Sequence, residues 1–94
     1  MKFKPEAKVI INKEITVHNG NCIEMKFARV AGKRELFYES AFVAKENIKN
    51  IDGVNVLIDD DTLEMLKDVV FYSKSGELAV RKCDNNLFCK GKNH

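Results

Sequence analysis

The side chains of this chain best suited to bind a metal ion are among its two histidines and three cysteines. His18 precedes Cys22 by four positions, and Cys83 precedes Cys89 by six. Nitrogen and sulfur ligands in two pairs could hold a tetrahedral zinc ion and stabilise a structural module. The tight CxxC spacing of such modules is missing. We therefore predict that no metal is bound, and a zinc site made of these four residues is a weak alternative.

The remaining reactive side chains do not predict an active site. A nucleophilic site needs a base and an orienting acid, and the sequence offers at most a pairing of His18 with Cys22 around a predicted turn. Metal-dependent hydrolysis needs acids that converge from separate elements, whereas those at 59–61 are consecutive. The five glycines are isolated, so the sequence contains no phosphate-binding loop. We predict a protein that is not an enzyme and uses no cofactor.

Two sets of residues are candidates for binding another protein. Acids at the start of a short predicted helix would lie at its positive end and could meet a basic partner surface. An apolar set on the outer face of a predicted sheet could be covered by a partner. The acidic set is Asp59, Asp60, Asp61 and Glu64, and the apolar set is Phe37, Ala41 and Val43. We expect a protein partner of unknown identity, or a second copy bound through a sheet face or edge.

A basic set at the end of a predicted hairpin supports a competing function. Its members are Lys26, Arg29, Lys33 and Arg34, with Phe37 on the outer face beside them. Small sheets hold single-stranded nucleic acid by phosphate contacts and by stacking of bases on aromatic rings. Acids at positions 24, 35 and 39 share this region and would repel phosphates. A nucleic-acid-binding β domain is therefore the alternative that we rank second.

Composition places the chain among small globular domains. It has 94 residues, of which 45% are hydrophobic and 32% charged, and its net charge is +2. No apolar run approaches the roughly 18 residues of a membrane span, so we expect no membrane contact. The odd cysteine count without a signal peptide predicts a cytoplasmic protein with free thiols. Residues 1–94 are expected to form a single domain.

Size and residue bias suggest an origin. The chain is short and rich in lysine and asparagine, as are many small proteins of phages and mobile elements. From this base rate we expect an inhibitory factor that acts on a host machine, such as a defence nuclease.

Turn signals separate runs of β-branched and aromatic residues along the chain, which is typical of strands. We predict a mainly β (α+β) fold, built as an antiparallel meander, small sheet or barrel of five to seven strands. One short helix is predicted near 60–68. A strand is also predicted at 54–58. Residues 69–72 could extend the helix, but their β-branched and aromatic side chains favour a strand in a hairpin that pairs Phe71 with Val80. A last edge strand is expected at 87–90.

The first half is predicted to be a three-stranded layer. Its first turn would place Val17 opposite Ile23, and its second, at Gly32–Lys33, would place Met25 opposite Ser40. This register collects one apolar face and leaves Phe37 on the other. The predicted apolar face consists of Val9, Ile11, Ile15, Val17, Ile23, Met25, Phe27, Leu36, Tyr38 and Phe42.

Overall fold

A computed structural model describes residues 1–82 of the chain. This range contains seven strands and two α-helices. Their bounds are β1 (Lys2–Phe3), α1 (Pro5–Val17), β2 (Cys22–Val30), β3 (Lys33–Ala41), β4 (Lys49–Ile51), β5 (Val54–Leu57), α2 (Asp60–Met65), β6 (Val69–Lys74) and β7 (Glu77–Lys82). A single 3₁₀ turn covers Lys45–Asn47. The predicted mainly β, α+β class is confirmed.

The strands form two sheets. The larger has the order β3-β2-β5-β4 and the smaller the order β1-β6-β7. Neighbouring strands are antiparallel, except that β1 runs parallel to β6 and β2 runs parallel to β5. The architecture is thus two small mixed sheets, and the predicted three-stranded meander over the first half of the chain is wrong.

Helix α1 replaces the first predicted strand. Pro5 stands at its first turn, where the missing N–H of proline costs nothing. Its buried side consists of residues four apart: Ala7, Ile11 and Ile15, of which the last is partly buried. Val9 and Val17, which the strand prediction placed on the same face as Ile11, are 67% and 61% exposed. The predicted pairing of Val17 with Ile23 is therefore wrong as well.

The β2–β3 hairpin is present, with a turn one residue earlier than predicted. Ala31–Gly32 occupy the two turn positions with φ of 54° and 81°, the left-handed geometry of a type I′ turn. Met25 consequently pairs with Tyr38, not Ser40. A shift of two residues keeps every side chain on its predicted face, so Met25 still lies in the core. Phe42, predicted to be inside, follows the end of β3 and is 76% exposed.

The second half agrees closely with its prediction. Strand β5 and helix α2 lie where expected, and Asp59 caps the helix. Residues 69–74 form a strand, and Phe71 pairs with Val80 in the β6–β7 hairpin. The predicted edge strand at 87–90 lies outside the described residues.

One hydrophobic core connects the two sheets and α1. It includes Phe3, Ala7, Ile11, Ile23, Met25, Val54, Val56, Ile58, Leu66, Val69 and Phe71. The rings of Phe3 and Phe71 stack with their centroids 4.9 Å apart. Strand β1 is also hydrogen-bonded to the β4–β5 turn, where the Asp52 carboxylate accepts a 2.8 Å hydrogen bond from the Phe3 N–H.

Close contact between the end of α1 and β3 explains why residue 20 is a glycine. A Cβ on Gly20 would lie 2.7 Å from the carbonyl oxygen of Ala41. The neighbouring Asn21 side chain donates to the Val43 carbonyl oxygen at 2.8 Å and accepts from the Val43 N–H at 3.2 Å. These contacts fix the chain where it leaves β3.

Candidate protein-binding site

The distal half of the β2–β3 hairpin projects beyond the sheet that it belongs to. Strand β2 pairs with β3 at nine positions, from Cys22 to Val30. On its other side, β2 pairs with β5 only at Ile23 and Glu24. We call residues 25–36 the arm. Its outer end is exposed on all sides, and its β5 side has no strand partner among residues 1–82.

Two adjoining open grooves follow this unpartnered side of β2. The larger, about 610 Å³, lies between β2, the 3₁₀ turn and the end of β5. The smaller, about 340 Å³, lies between β2 and α2. Lys26 and Asp59 line both grooves, and the β2 residues that line one or the other are consecutive from Glu24 to Arg29. We call the two together the β2 groove.

The predicted acidic set borders this groove through Asp59, which lines both of its parts, and continues along α2; we call these four residues the acidic wall. The carboxylate of Asp59 accepts a 2.7 Å hydrogen bond from the Thr62 N–H, and bonds from Thr62 hold its pKa below the ordinary value. Asp60 is paired with Lys49 at 3.6 Å. The role of Asp59 is thus to cap α2. The exposed carboxylate of Asp61 makes no ion pair within residues 1–82.

The remaining acid of the set, Glu64, is paired with Lys67 at 2.9 Å. This bond and the charge of Glu64 raise the pKa of Lys67. The acidic wall is thus partly neutralised by lysines of its own chain. Asp61 remains the member most available to a partner.

The predicted apolar set is smaller than expected. Phe37 lies on the outer face of β3, 42% exposed, directly opposite Lys26 of β2. Glu39 stands between it and Ala41 on the same face, because alternate residues of a strand share a face. Ala41 and Val43 are only partly exposed. Phe37 is therefore the main apolar side chain on this face. Its cross-strand neighbour Lys26 also lines the β2 groove.

The predicted basic set is divided between the two faces of the arm. Lys26 and Lys33 share the outer face with Phe37, whereas Arg29 and Arg34 lie directly opposite each other on the inner face. The Arg29 guanidinium donates to the Gly32 carbonyl oxygen at 3.2 Å. The hairpin therefore brings together two pairs of cations, and not one patch of four.

Arg34 extends towards α2. Its guanidinium carbon lies 5.8 Å from the centre of the Phe27 ring, and one of its nitrogens donates to the Met65 sulfur at 3.6 Å. Neither Arg29 nor Arg34 makes an ion pair with any residue of the described range. Two unneutralised cations thus border the smaller part of the β2 groove.

The predicted alternative zinc ligands have other partners where they are described. The Nε2 atom of His18 lies 3.2 Å from the Glu14 carboxylate. Cys22 is fully buried, its thiol 3.6 Å from the Ala41 carbonyl oxygen, and burial followed by the charge of Glu24 raises its pKa. Within residues 1–82 no group of three or more potential ligands could hold a metal ion. Cys83 and Cys89 lie outside the described residues.

Three features of the site were missed by sequence reasoning: the open side of β2, and the contributions of Lys49 and Met65 to the two ends of the groove. One property of the sequence indicated the open side of β2. The β2 run extends over nine residues, while the run at 54–57 is stopped by the Asp59 cap. Strands of unequal length leave part of the longer one unpaired.

Comparison with protein-family models finds no match to this chain. Comparison with curated proteins finds none either. Among the described residues, neither helix is long and apolar enough to cross a membrane.

Proposed function

We propose that this chain is a small non-enzymatic factor that binds another protein and inhibits it. One observation carries the proposal: Lys26 and Asp59 line both parts of the β2 groove. Phe37 is the cross-strand neighbour of Lys26, and Asp59 begins the acidic set. A partner could therefore contact the apolar and the acidic candidates on one continuous surface.

Composition supports a finer form of the proposal. The short, lysine- and asparagine-rich chain suits a factor encoded by a phage or mobile element that acts on a host machine, such as a defence nuclease. The odd number of cysteines, with Cys22 buried and the pKa of its thiol raised by burial, suits the reducing cytoplasm.

Nucleic-acid binding is the competing function, and the division of the basic set argues against it. A single strand on the outer face would meet Lys26 and Lys33 together with Glu35 and Glu39. One on the inner face would meet the two arginines next to the acidic wall. Neither face provides the continuous positive groove that follows a phosphate backbone.

Self-association through β3 is a second form of protein binding. Strand β3 is an edge strand of nine residues, and Phe37 and Tyr38 expose about two fifths of their surface on its opposite faces. Light scattering at high concentration tests it. A dimer mass is expected if the partner is a second copy, and a monomer mass would restrict the proposal to a different protein.

Affinity capture from host cells, followed by mass spectrometry and titration with the purified captured protein, tests the main proposal. Asp61→Lys should weaken binding at least about tenfold, because it reverses the unpaired charge of the acidic wall. Glu6→Lys is the matched control, since Glu6 is also an exposed acid in the first turn of a helix. Equal binding by both variants would exclude the acidic set from the contact. Failure to capture any specific protein would remove the proposed function.

A labelled-oligonucleotide titration at low salt tests the competing function. Nucleic acid would be indicated by binding that falls steeply with salt and is strengthened by Asp61→Lys. The protein proposal expects no oligonucleotide binding at tens of micromolar, where non-specific binders usually bind.

A further inference from the structure

We propose that the open side of β2 binds an extended segment of the partner protein by strand addition, and that this segment carries an acidic side chain opposite Arg29. The inference rests on the proposed protein-binding function, and it names the site on this chain and the chemistry of the partner. The arm supplies the backbone edge, the β2 groove supplies the space, and two arginines supply the charge.

The backbone of the arm is available for pairing on its β5 side. A two-residue hairpin closes on a hydrogen-bonded pair, here Val30 with Lys33, and such pairs then alternate along the strands. Phe27 and Arg29 therefore direct their N–H and C=O groups away from β3. Strand β5 pairs with β2 no further than Glu24. Within the described chain, no other backbone group bonds to Phe27 or Arg29 outside the hairpin.

The β2 groove has the length and position of a missing strand. It follows β2 from Glu24 to Arg29, in line with the end of β5. Six strand residues span roughly 20 Å, and a strand added at the usual spacing of about 4.8 Å would lie along the open edge of β2, on the side to which Phe27 and Arg29 direct their N–H and C=O groups. Main-chain hydrogen bonds hold such a segment, and its alternate side chains provide specificity.

The charges of the arm select an acidic segment. Arg29 and Arg34 face each other directly across the hairpin, an unfavourable arrangement for like charges, and neither is neutralised within residues 1–82. A partner residue opposite Arg29 projects to the same face, beside Arg29. The Arg34 side chain reaches towards Met65 across the Phe27 ring and so lies above the same space. One carboxylate could contact both guanidinium groups.

The neighbouring position of the segment should be apolar. Two residues from the acid, the partner's side chain returns to the same face and meets Phe27, which is partly buried, and Met65, which is 45% exposed. A nucleic acid fits the groove less well, because its phosphates would approach Asp59 on the opposite wall. The preferred occupant is thus a protein segment with one acid and an apolar residue two positions away.

Nuclear magnetic resonance with a synthetic probe tests this inference directly. The probe is the peptide acetyl-TVTETVT-amide, which presents the acid–x–apolar pattern in both directions. Titrated into isotope-labelled protein, it should bind with a Kd below about 1 mM. It should shift the amide resonances of Phe27 and Arg29 and slow their hydrogen exchange. Shifts confined to β3 or β7, or no shifts at several millimolar, would overturn the inference.

Two altered peptides serve as controls. The peptide with lysine in place of glutamate should bind at least about tenfold more weakly, because it places a third cation beside the arginines. The peptide N-methylated at alternate positions should not bind, since it cannot complete the strand pairing. Equal binding by all three peptides would overturn the inference.

Variants separate this inference from the proposed function. Arg29→Pro removes an N–H that faces the groove without breaking a β2–β3 bond, and Arg29→Ala removes the guanidinium group but keeps that backbone N–H. Val80→Pro is the matched control, because Val80 occupies the equivalent outward-bonding position on edge strand β7. If a captured partner binds Val80→Pro normally but binds both Arg29 variants at least about tenfold more weakly, the inference is supported. If it binds all three variants equally, the inference fails while the proposed function stands.

Discussion

Replacing Ile11 by alanine tests the arrangement that departs most from the sequence prediction. Ile11 is completely buried in helix α1, whereas Val9, two residues earlier, is 67% exposed. In a strand these two side chains would share a face, and in a helix they lie about 200° apart. The effects of Ile11→Ala and Val9→Ala on stability therefore report directly which periodicity the segment adopts.

The expected cost of Ile11→Ala follows from the burial of the side chain. The change removes three carbon atoms from the core, which loses about 2.4 kcal/mol at roughly 0.8 kcal/mol for each. A cavity that does not collapse adds up to about 2 kcal/mol. The free energy of unfolding should thus fall by about 2–4 kcal/mol, out of a total of about 5–15 kcal/mol for a domain of this kind. Val9→Ala should change it by less than about 0.5 kcal/mol.

Urea unfolding followed by circular dichroism measures both variants. With a slope of about 1–2 kcal/mol per molar urea, Ile11→Ala should lower the midpoint by at least about 1 M. If that variant does not fold, Ile11→Val provides the measurement, with an expected loss of about 0.5–1.5 kcal/mol. An equal loss of stability in Val9→Ala and Ile11→Ala would contradict the helix and the core described above.

Three further expectations concern the arm, the buried thiol and the helix cap. Ala31→Asn should raise the free energy of unfolding by about 0.5–1 kcal/mol in thermal or urea melts, because asparagine tolerates the left-handed φ of 54° better than alanine; a loss would place the turn elsewhere. Cys22 should resist alkylation in the native protein at neutral pH and react after unfolding, because its thiol is buried and its pKa is raised by burial and Glu24; rapid native labelling, read by peptide mapping, would refute this. Bonds from Thr62 lower the pKa of Asp59, so its contribution to stability is present above the ordinary value of 3.8 and is lost as the pH falls through the lower folded value. Asp59→Asn should flatten that acid limb of the stability curve, and an unchanged limb would exclude the cap as its source.

The hairpin of β6 and β7 was preferred to a longer helix because its turn and its residue types both favour strands. The Ser75–Gly76 turn fixes the register, and the β-branched and aromatic residues before it favour a strand. The pairing of Phe71 with Val80 follows from the turn alone. Asp59 likewise predicted the start of α2, because a side-chain cap is a local interaction. Where a single short stretch of sequence determines the geometry, the prediction was confirmed.

Helix α1 could not be predicted in this way because its local signals conflict. Val9, Ile11, Ile15 and Val17 alternate as strand residues do, and the N-cap residue Lys4 makes no side-chain capping bond. What makes this segment helical is the burial of one face against the rest of the core, which is a tertiary effect that overrides local propensity. The prediction followed the apolar alternation and therefore placed exposed valines inside.

The candidate site could be predicted only residue by residue. Alternation correctly placed Phe37 outside and Met25 inside, and it would have done so in either register, since the two differ by two residues. The open side of β2 depends on its parallel pairing with β5, which joins segments more than thirty residues apart. No local pattern specifies such a pairing, so the groove could be recognised only in the folded chain.

Asp59 connects the two halves of the proposed site. Because its carboxylate caps α2, the chain turns away after β5 and cannot continue beside β2. The same cap that stabilises a short helix thus leaves Phe27 and Arg29 without strand partners on one side within residues 1–82. Natural proteins usually protect such edges with charged residues. Edge protection would account for Lys26 and Lys33, because it requires charges on the arm but not at particular positions. Protection alone does not account for two arginines placed directly opposite each other at the border of a groove, and an acidic strand bound there would.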